Sequence, residues 1–146
     1  MQTNSTSGND LTWMLDQLVE VPDVVHAVVL STDGLIVQKS TGLAQDAAEL
    51  LAAGASSLHS VAAGTGRRFD SGQVQQVIVE YDGHTLFVAA AGRNARLAVL
   101  CEQTVDMGTV AYEMSRLVIR IGEHLGAEVR RTATVANGQQ GRGYGV

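Results

Sequence analysis

Residues 29–37 read VLSTDGLIV, and this stretch sets the order of the first strands. Two apolar runs meet at Asp33-Gly34, which leaves room only for a tight turn between them. Asp-Gly is typical of a type I′ hairpin turn, in which both central residues need a positive φ. The stretch therefore predicts a β-hairpin with strands over residues 25–30 and 35–39, and the turn geometry alone explains Asp33 without a catalytic role.

Hydrophobic periodicity predicts the elements on both sides of this hairpin. The Gly-Thr-Gly-Arg-Arg segment at 64–68 is expected to end the second helix and form a loop. The full order is helix, strand, strand, helix, strand, strand, strand, helix. This order predicts a single α+β domain, a five-stranded antiparallel sheet flanked by helices. Helices are predicted over residues 11–19, 44–63 and 106–125, and further strands over 74–81, 84–91 and 96–101.

Composition narrows the function classes. The 146 residues are 45% hydrophobic but only 4% aromatic, so the core should be aliphatic, and the net charge of -5 argues against a nucleic-acid binder. One cysteine, Cys101, excludes an intramolecular disulfide and a cysteine-rich metal site, and it is expected to be a buried small hydrophobe. The four histidines show no metal-ligand spacing, and no P-loop sequence is present. We expect no metal, no cofactor and no catalytic residue.

Both ends of the chain lack an apolar pattern. Residues 1–9 are expected to be a disordered tail, residues 10–127 the folded domain, and residues 128–146 a flexible Gly-rich tail. The first residues carry no secretory signal features, and no run approaches the length of a membrane span. We therefore expect a cytoplasmic protein that does not insert into a membrane and that reaches one only through partners.

Five stretches resemble, in the family's order, the roadblock family (dynein light chains of the roadblock type). More narrowly, they resemble its bacterial branch, which works beside small Ras-like GTPases. The stretches run through nearly all of residues 11–125. They are LTWMLDQLV at 11–19, VPDVVHAVVLSTDGLIV at 21–37, AELLAAGASSLHSVA at 48–62, YDGHTLFVAAAG at 81–92 and VDMGTVAYEM at 105–114.

The resemblance implies an αββαβββα domain that forms a homodimer. In such dimers the second helices pack antiparallel and the third strands pair edge to edge. The resemblance also implies a small GTPase as partner, with the protein as activator, exchange modulator or scaffold. Similar actinobacterial proteins belong to conserved signalling units that include a sensor-kinase-like protein.

The second helix has small residues on most sides and can approach two neighbours closely, its own sheet and a twin helix across a two-fold axis. The alternative is a helix that packs only on its own sheet. The third strand is the expected paired edge, where amides and carbonyls need partners. We predict that the dimer interface contains Ala48, Ala52, Ala55 and His59 of the helix and Gln75, Val77 and Val79 of the strand.

Six residues are candidates for partner contact. An arginine pair in the loop after the second helix could stabilise charge in phosphoryl transfer, although a solvated pair at a helix end is the preferred interpretation. Three charged residues follow the polar side of the last helix, and a lone tryptophan lies off the apolar stripe of the first. These residues are Arg67, Arg68, Glu113, Arg116, Arg120 and Trp13.

The sequence thus favours a non-enzymatic homodimeric regulator or adaptor that binds a small Ras-like GTPase and modulates its GTP/GDP cycle or localisation. Two alternatives stay open. One is a ligand-sensing module of the GAF or PAS sort, which needs a roomy pocket with polar groups inside. The other is a pure scaffold without effect on GTP hydrolysis. A small hydrolase that uses Cys101 or an aspartate finds no supporting constellation of residues.

Overall fold

A computed structural model describes the backbone of residues 2–143 and the side chains of residues 11–127. The αββαβββα order predicted from the sequence is confirmed. The helices are α1 (Gln2–Val19), α2 (Gln45–Arg68) and α3 (Met107–Gly143), and the strands are β1 (Val24–Ser31), β2 (Ile36–Lys39), β3 (Val77–Glu80), β4 (His84–Ala90) and β5 (Ala95–Glu102).

The outer helices are longer than periodicity indicated, since α1 begins before residue 11 and α3 continues past residue 125. The two expected tails, 1–9 and 128–146, fall on residues whose side chains lie outside the described part of the chain. The tails and the domain boundaries therefore stay predictions.

The five strands form one antiparallel sheet in the order β2-β1-β5-β4-β3. Strand β5 lies in the centre between β1 and β4, and most side chains of β1 and β5 are buried because helices cover both faces. Alternate residues point to opposite faces, as strand geometry requires. Val28 and Leu30 of β1 pack in the cluster with α2, whereas Ala27 and Val29 pack in the cluster with α1 and α3.

These two clusters form an aliphatic core on both faces of the sheet. On the α1 and α3 side, Leu15, Met114 and Ile121 lie against the sheet residue Phe87, all with at most 1% exposure. At about 1.5–3 kcal/mol for each fully buried large side chain, this cluster contributes much of the hydrophobic stabilisation. The sheet thus holds α2 on one side and the α1–α3 pair on the other.

Helix α2 continues through Gly64–Arg68, so the predicted loop at this segment is wrong. Each glycine lowers helix stability by only about 1 kcal/mol relative to alanine. The helix tolerates this cost because its last carbonyls find hydrogen-bond donors. The Phe69 amide donates to the Thr65 carbonyl at 3.3 Å, and the Ser71 amide donates to the Gly66 carbonyl at 2.8 Å. The helix ends where the chain turns left-handed, at Asp70 with φ 54°.

The predicted type I′ geometry is wrong at the first hairpin. Ser31 and Leu35 close the loop, because the Ser31 amide donates to the Leu35 carbonyl at 2.8 Å and the Leu35 amide donates to Ser31 Oγ at 3.2 Å. The loop therefore has three residues, and only Gly34 is left-handed, with φ 88°. A three-residue loop with glycine in this position is a common hairpin geometry.

The same turn also fastens the hairpin to α2. A Cβ on Gly34 would lie 3.3 Å from Ser56 Cβ, so the tight space beside α2 favours glycine in addition to its positive φ. Ser56 Oγ donates to the Thr32 carbonyl at 3.1 Å. The second Asp-Gly pair, between β3 and β4, is a two-residue loop closed by the Tyr81 amide on the His84 carbonyl, and neither of its residues has a positive φ.

Candidate functional site

Helix α2 turns its predicted interface residues toward its own sheet. Ala48, Ala52 and Ala55 have no exposed surface, and His59 is 6% exposed. The three alanines pack in the cluster beneath the sheet, so their small size lets α2 approach the strands closely. The chain already covers these side chains, and the prediction that placed them at a dimer interface is corrected to the sheet-facing side of the helix.

The opposite side of α2 is open and largely apolar. Leu50 is 77% exposed and Val61 is 70% exposed, although both are large aliphatic side chains. They lie on one stripe with smaller residues at alternating spacings of three and four, the repeat of a helix-packing seam. We call this stripe the outward stripe; it comprises Ala47, Leu50, Gly54, Ser57 and Val61.

Strand β3 forms one edge of the sheet and, within the described part of the chain, pairs with β4 alone. Val77 and Val79 are half-buried against the α2 side of the sheet, as the predicted alternation requires, whereas Ile78 is 43% exposed on the other face. Gln75 precedes the strand in an exposed segment. The structure therefore confirms that β3 is an edge strand, while its pairing with a second copy stays a prediction.

A groove of about 230 Å³ runs between α1 and α3. Met14 and Leu18 supply its apolar wall, and Glu113, Arg116 and Arg120 bring charge to the facing helix. The Arg116 guanidinium also lies 5.8 Å from the centre of the exposed Tyr112 ring, a cation–π contact. Three of the six predicted partner-contact residues are therefore brought together in one place.

The other three predicted contact residues lie elsewhere. Trp13 projects from α1 with 55% exposure and is not among the residues that line the groove. Arg67 and Arg68 are in the last turn of α2, on the other side of the sheet. Their position matches the preferred sequence interpretation of a charge pair at a helix C-terminus, where cations are favoured by the helix dipole.

Arg67 also belongs to a second cleft, of about 780 Å³, that sequence reasoning missed. Arg93 from the turn after β4 and Arg96 from β5 line it too, with His59 from α2 and Asp70 from the segment that follows α2. We call this the arginine cleft. No sequence spacing indicates it, because the end of α2 and the β4–β5 region lie far apart in the chain.

Burial is the main cause of the pKa shifts of three groups in the described part of the chain, His59, Arg96 and Cys101. Burial, followed by the positive Arg96 guanidinium, lowers the pKa of His59. Burial also lowers the pKa of Arg96, and burial followed by the carboxylate of Asp23 raises the pKa of the Cys101 thiol to about 12. The thiol of Cys101 is thus protonated at neutral pH, as a structural core residue would be.

Within the described residues, no group of three or more His, Cys, Asp or Glu side chains is arranged to hold a metal ion. In the same part of the chain, no helix combines the length and apolar character that crossing a membrane requires.

A sheet with one helix on one face and two on the other defines a class of small α+β domains that share this layered architecture. The sequence model of the Roadblock/LC7 domain matches residues 11–101, and the chain belongs to this family. Members of the family are generally non-enzymatic regulators or adaptors. No curated protein matches the chain.

Solved structures agree with the family assignment. A Roadblock/LC7 domain from Streptomyces avermitilis is 42% identical, with coverage of 78% of this chain and 96% of that one and a TM-score of 0.75. A second structure of such a domain from the same species is 44% identical, covers 75% and 96% of the two chains and has a TM-score of 0.63. MglB of Myxococcus xanthus is 11% identical, with coverage of 82% and 90% and a TM-score of 0.75, a likeness of fold alone.

Proposed function

We propose that this protein is a homodimeric, non-enzymatic regulator that binds a small Ras-like GTPase and alters its GTP/GDP cycle or its localisation. The observation that carries the proposal is the Roadblock/LC7 match over residues 11–101, together with the likeness to bacterial domains of the same family. The GTPase as partner follows from the resemblance to the bacterial branch of the family. The protein acts by surface complementarity with its partner, without chemistry from its own side chains.

The outward stripe of α2 supports the dimer, because the stripe complements itself. In an antiparallel pair of α2 helices around a two-fold axis between residues 55 and 56, Leu50 of one copy meets Val61 of the other. Gly54 meets Ser57 at the centre of the same pair, where small side chains allow the helices to approach closely. An isologous interface requires this reciprocity.

The edge strand β3 supports the same arrangement. Its pairing with β4 runs without a break over four consecutive residue pairs, so its outer edge is regular. The opposite edge strand β2 pairs with β1 through a register shift at Val29/Leu30, and such bulges discourage further pairing. We therefore assign β3, with Val77 and Val79, as the strand that continues the sheet into the second copy.

The α1–α3 groove is the proposed docking surface for the GTPase. It combines an apolar wall with the charges of Glu113, Arg116 and Arg120, and Trp13 offers an aromatic anchor on the same layer of the molecule. This layer lies across the sheet from α2, so a dimer through α2 leaves it accessible. A sensor-kinase-like protein is a further proposed partner, and the site of action is the cytoplasm.

Binding to the GTPase tests this proposal first. The purified protein should elute as a dimer and should form a stable complex with the cognate GTPase in size-exclusion chromatography with light scattering. The double variant Arg116→Ala/Arg120→Ala should weaken the complex, whereas Arg68→Ala on the other side of the sheet should not. A complex without any change in nucleotide turnover, exchange or localisation would favour the scaffold alternative, and no complex would reject the proposal.

A further inference from the structure

The arginine cleft is a positively charged site in a negatively charged protein. Three arginines, Arg67, Arg93 and Arg96, and one acidic residue, Asp70, are among the residues that line it. The chain has only 10 basic side chains and a net charge of -5, so this grouping is a strong local departure from the average. Within residues 11–127, none of the three guanidinium groups makes a salt bridge. The cleft therefore has positive charge that the described protein leaves uncompensated.

His59 gives an independent indication that the cleft holds a ligand. Its side chain is 94% covered, lines the cleft, and has both imidazole nitrogens without a hydrogen-bond partner among the described protein groups. A buried polar group in this condition is uncommon, because leaving it unsatisfied costs about 1–3 kcal/mol. A neutral imidazole offers one donor and one acceptor to a molecule in the cleft.

Arg96 is half-buried and also lines the cleft. Among the residues whose side chains are described, its guanidinium makes one hydrogen bond, from Nη1 to the carbonyl of the adjacent Ala95 at 3.3 Å. The remaining N–H groups form the planar fork that matches carboxylate and phosphate oxygens. Arg93 and Arg67 line the same cleft from separate elements, and each carries a further guanidinium fork that can bind an anion.

We propose that the arginine cleft binds the phosphate group of a small phosphorylated molecule, with Arg67, Arg93 and Arg96 as the anion-binding residues and His59 as a hydrogen-bonding residue at its base. Three positive charges against one negative charge suit a doubly charged phosphate better than a singly charged carboxylate. The volume of about 780 Å³ lies within the range of small-molecule sites and exceeds the need of a bare phosphate.

This site goes beyond the proposed regulation of a GTPase and does not depend on it. The cleft opens beside the sheet-facing side of α2, which carries His59, whereas the outward stripe lies on the opposite side of that helix. All the residues that line the cleft come from one copy of the chain, so the site does not need the dimer to be complete. Loss of dimerisation or of GTPase binding would not by itself remove the phosphate site, so the two proposals can fail separately.

Isothermal titration calorimetry of the full chain at constant ionic strength tests the proposal with three probes, inorganic phosphate, inorganic pyrophosphate and AMP. We expect saturable binding of at least one probe. Equal affinity for inorganic phosphate and AMP would show that the phosphate alone is recognised, and tighter binding of AMP would show that the rest of a nucleotide also contributes. Either result supports the phosphate site, whereas no saturation by any probe at millimolar concentration would overturn it.

Two variants and one matched control locate the binding. Arg96→Gln and, independently, Arg93→Gln in the exposed turn should each lower the affinity for the probe by about tenfold or more. This is the effect of losing a charged hydrogen bond. Arg68→Gln removes an adjacent charge that does not line the cleft and should leave the affinity within about twofold. Binding of the probe should also shift the imidazole ring signals of His59 in NMR spectra. An equal loss in Arg68→Gln, or no loss in either cleft variant, would show non-specific attraction and overturn the proposal.

Discussion

Leu50 and Val61 project from the same outward stripe of α2, three turns apart, with most of their side chains in solvent. The rise of a helix separates them by about 16 Å along the axis. A single large aliphatic side chain on a protein surface is common. Here two of them flank the small residues Gly54 and Ser57 along the same side of the helix. This relationship suits a second, antiparallel copy of the helix, and it supports the proposed dimer.

Leu50→Glu should convert the dimer to a monomer. Each dimer buries two copies of this side chain, and its replacement removes about 1.5–3 kcal/mol per copy and brings a carboxylate into the interface. We expect dimer affinity to fall by about a hundredfold or more. Sedimentation velocity over a range of concentrations measures the change.

Ile119→Glu is the matched control, because Ile119 is 62% exposed on α3 and lies away from the outward stripe. It should leave the dimer intact. An unchanged dimer in Leu50→Glu, or equal dissociation in both variants, would contradict the assignment of the outward stripe.

Ala52→Leu tests which side of α2 faces the sheet. Ala52 has no exposed surface and packs in the α2 cluster, so a larger side chain should overpack this layer and reduce the free energy of unfolding by about 1–3 kcal/mol. Urea unfolding at fixed protein concentration measures this change. Ala111→Leu on the half-buried side of α3 is a comparison with more room and should cost less; equal stability of wild type and Ala52→Leu would contradict the placement.

Gly122→Ala should destabilise the protein even though alanine is the better helix former. A Cβ on Gly122 would lie 3.2 Å from the Cα and the nitrogen of Gly92, and backbone atoms cannot move aside cheaply. Gly126→Ala lies in the same helix, and no atom of the described residues is within 4 Å of its added Cβ, so it should instead stabilise the protein by about 0.5–1 kcal/mol. Thermal unfolding of the two variants measures the difference, and a gain of stability in both would refute the close contact of α3 with the β4–β5 turn.

Stability should fall on acidification below the ordinary histidine pKa of 6.5. Burial lowers the pKa of His59 and of His26, with further lowering by Arg96 in the first case and His84 in the second. The unfolded chain therefore binds more protons than the folded one between the lowered values and 6.5, so stability is complete above 6.5 and is lost as the pH falls through that window.

Urea midpoints between about pH 8 and about pH 5 measure this dependence. The double variant His26→Gln/His59→Gln should flatten the curve, whereas His84→Gln alone should keep the part contributed by His59. A wild-type midpoint that rises on acidification through this range would have the opposite sign to the expected linkage.

The sequence predicted the element order because strand alternation and helix stripes are strong where large aliphatic residues recur, as at Leu11, Leu15 and Leu18 of α1. It did not predict which side of α2 faces the sheet. Small residues occur on both sides of that helix, and periodicity identifies residues that share a side without saying what covers it. The large Leu50 and Val61 lie outward, opposite to the usual expectation.

The errors in loops have a similar origin. Gly64 and Gly66 indicated a helix end, but the Thr65 and Gly66 carbonyls find donors after the helix and α2 continues to Arg68. The arginine cleft was beyond sequence reasoning, because residues from α2, the β4–β5 turn and β5 meet only in the folded chain. The groove residues of α3 were found because they already share one helix face.

GTP turnover tests most directly whether this protein regulates a small GTPase. The single-turnover hydrolysis and nucleotide-release rates of the cognate small Ras-like GTPase, identified by co-purification, are measured alone and with a saturating amount of this protein. We predict complex formation and a change of about tenfold or more in one of the two rates, a shift of about 1.4 kcal/mol in the barrier. We also expect Arg116→Ala/Arg120→Ala to reduce this change at subsaturating protein. Absence of binding, with both rates unchanged, would contradict the proposed regulation of a GTPase.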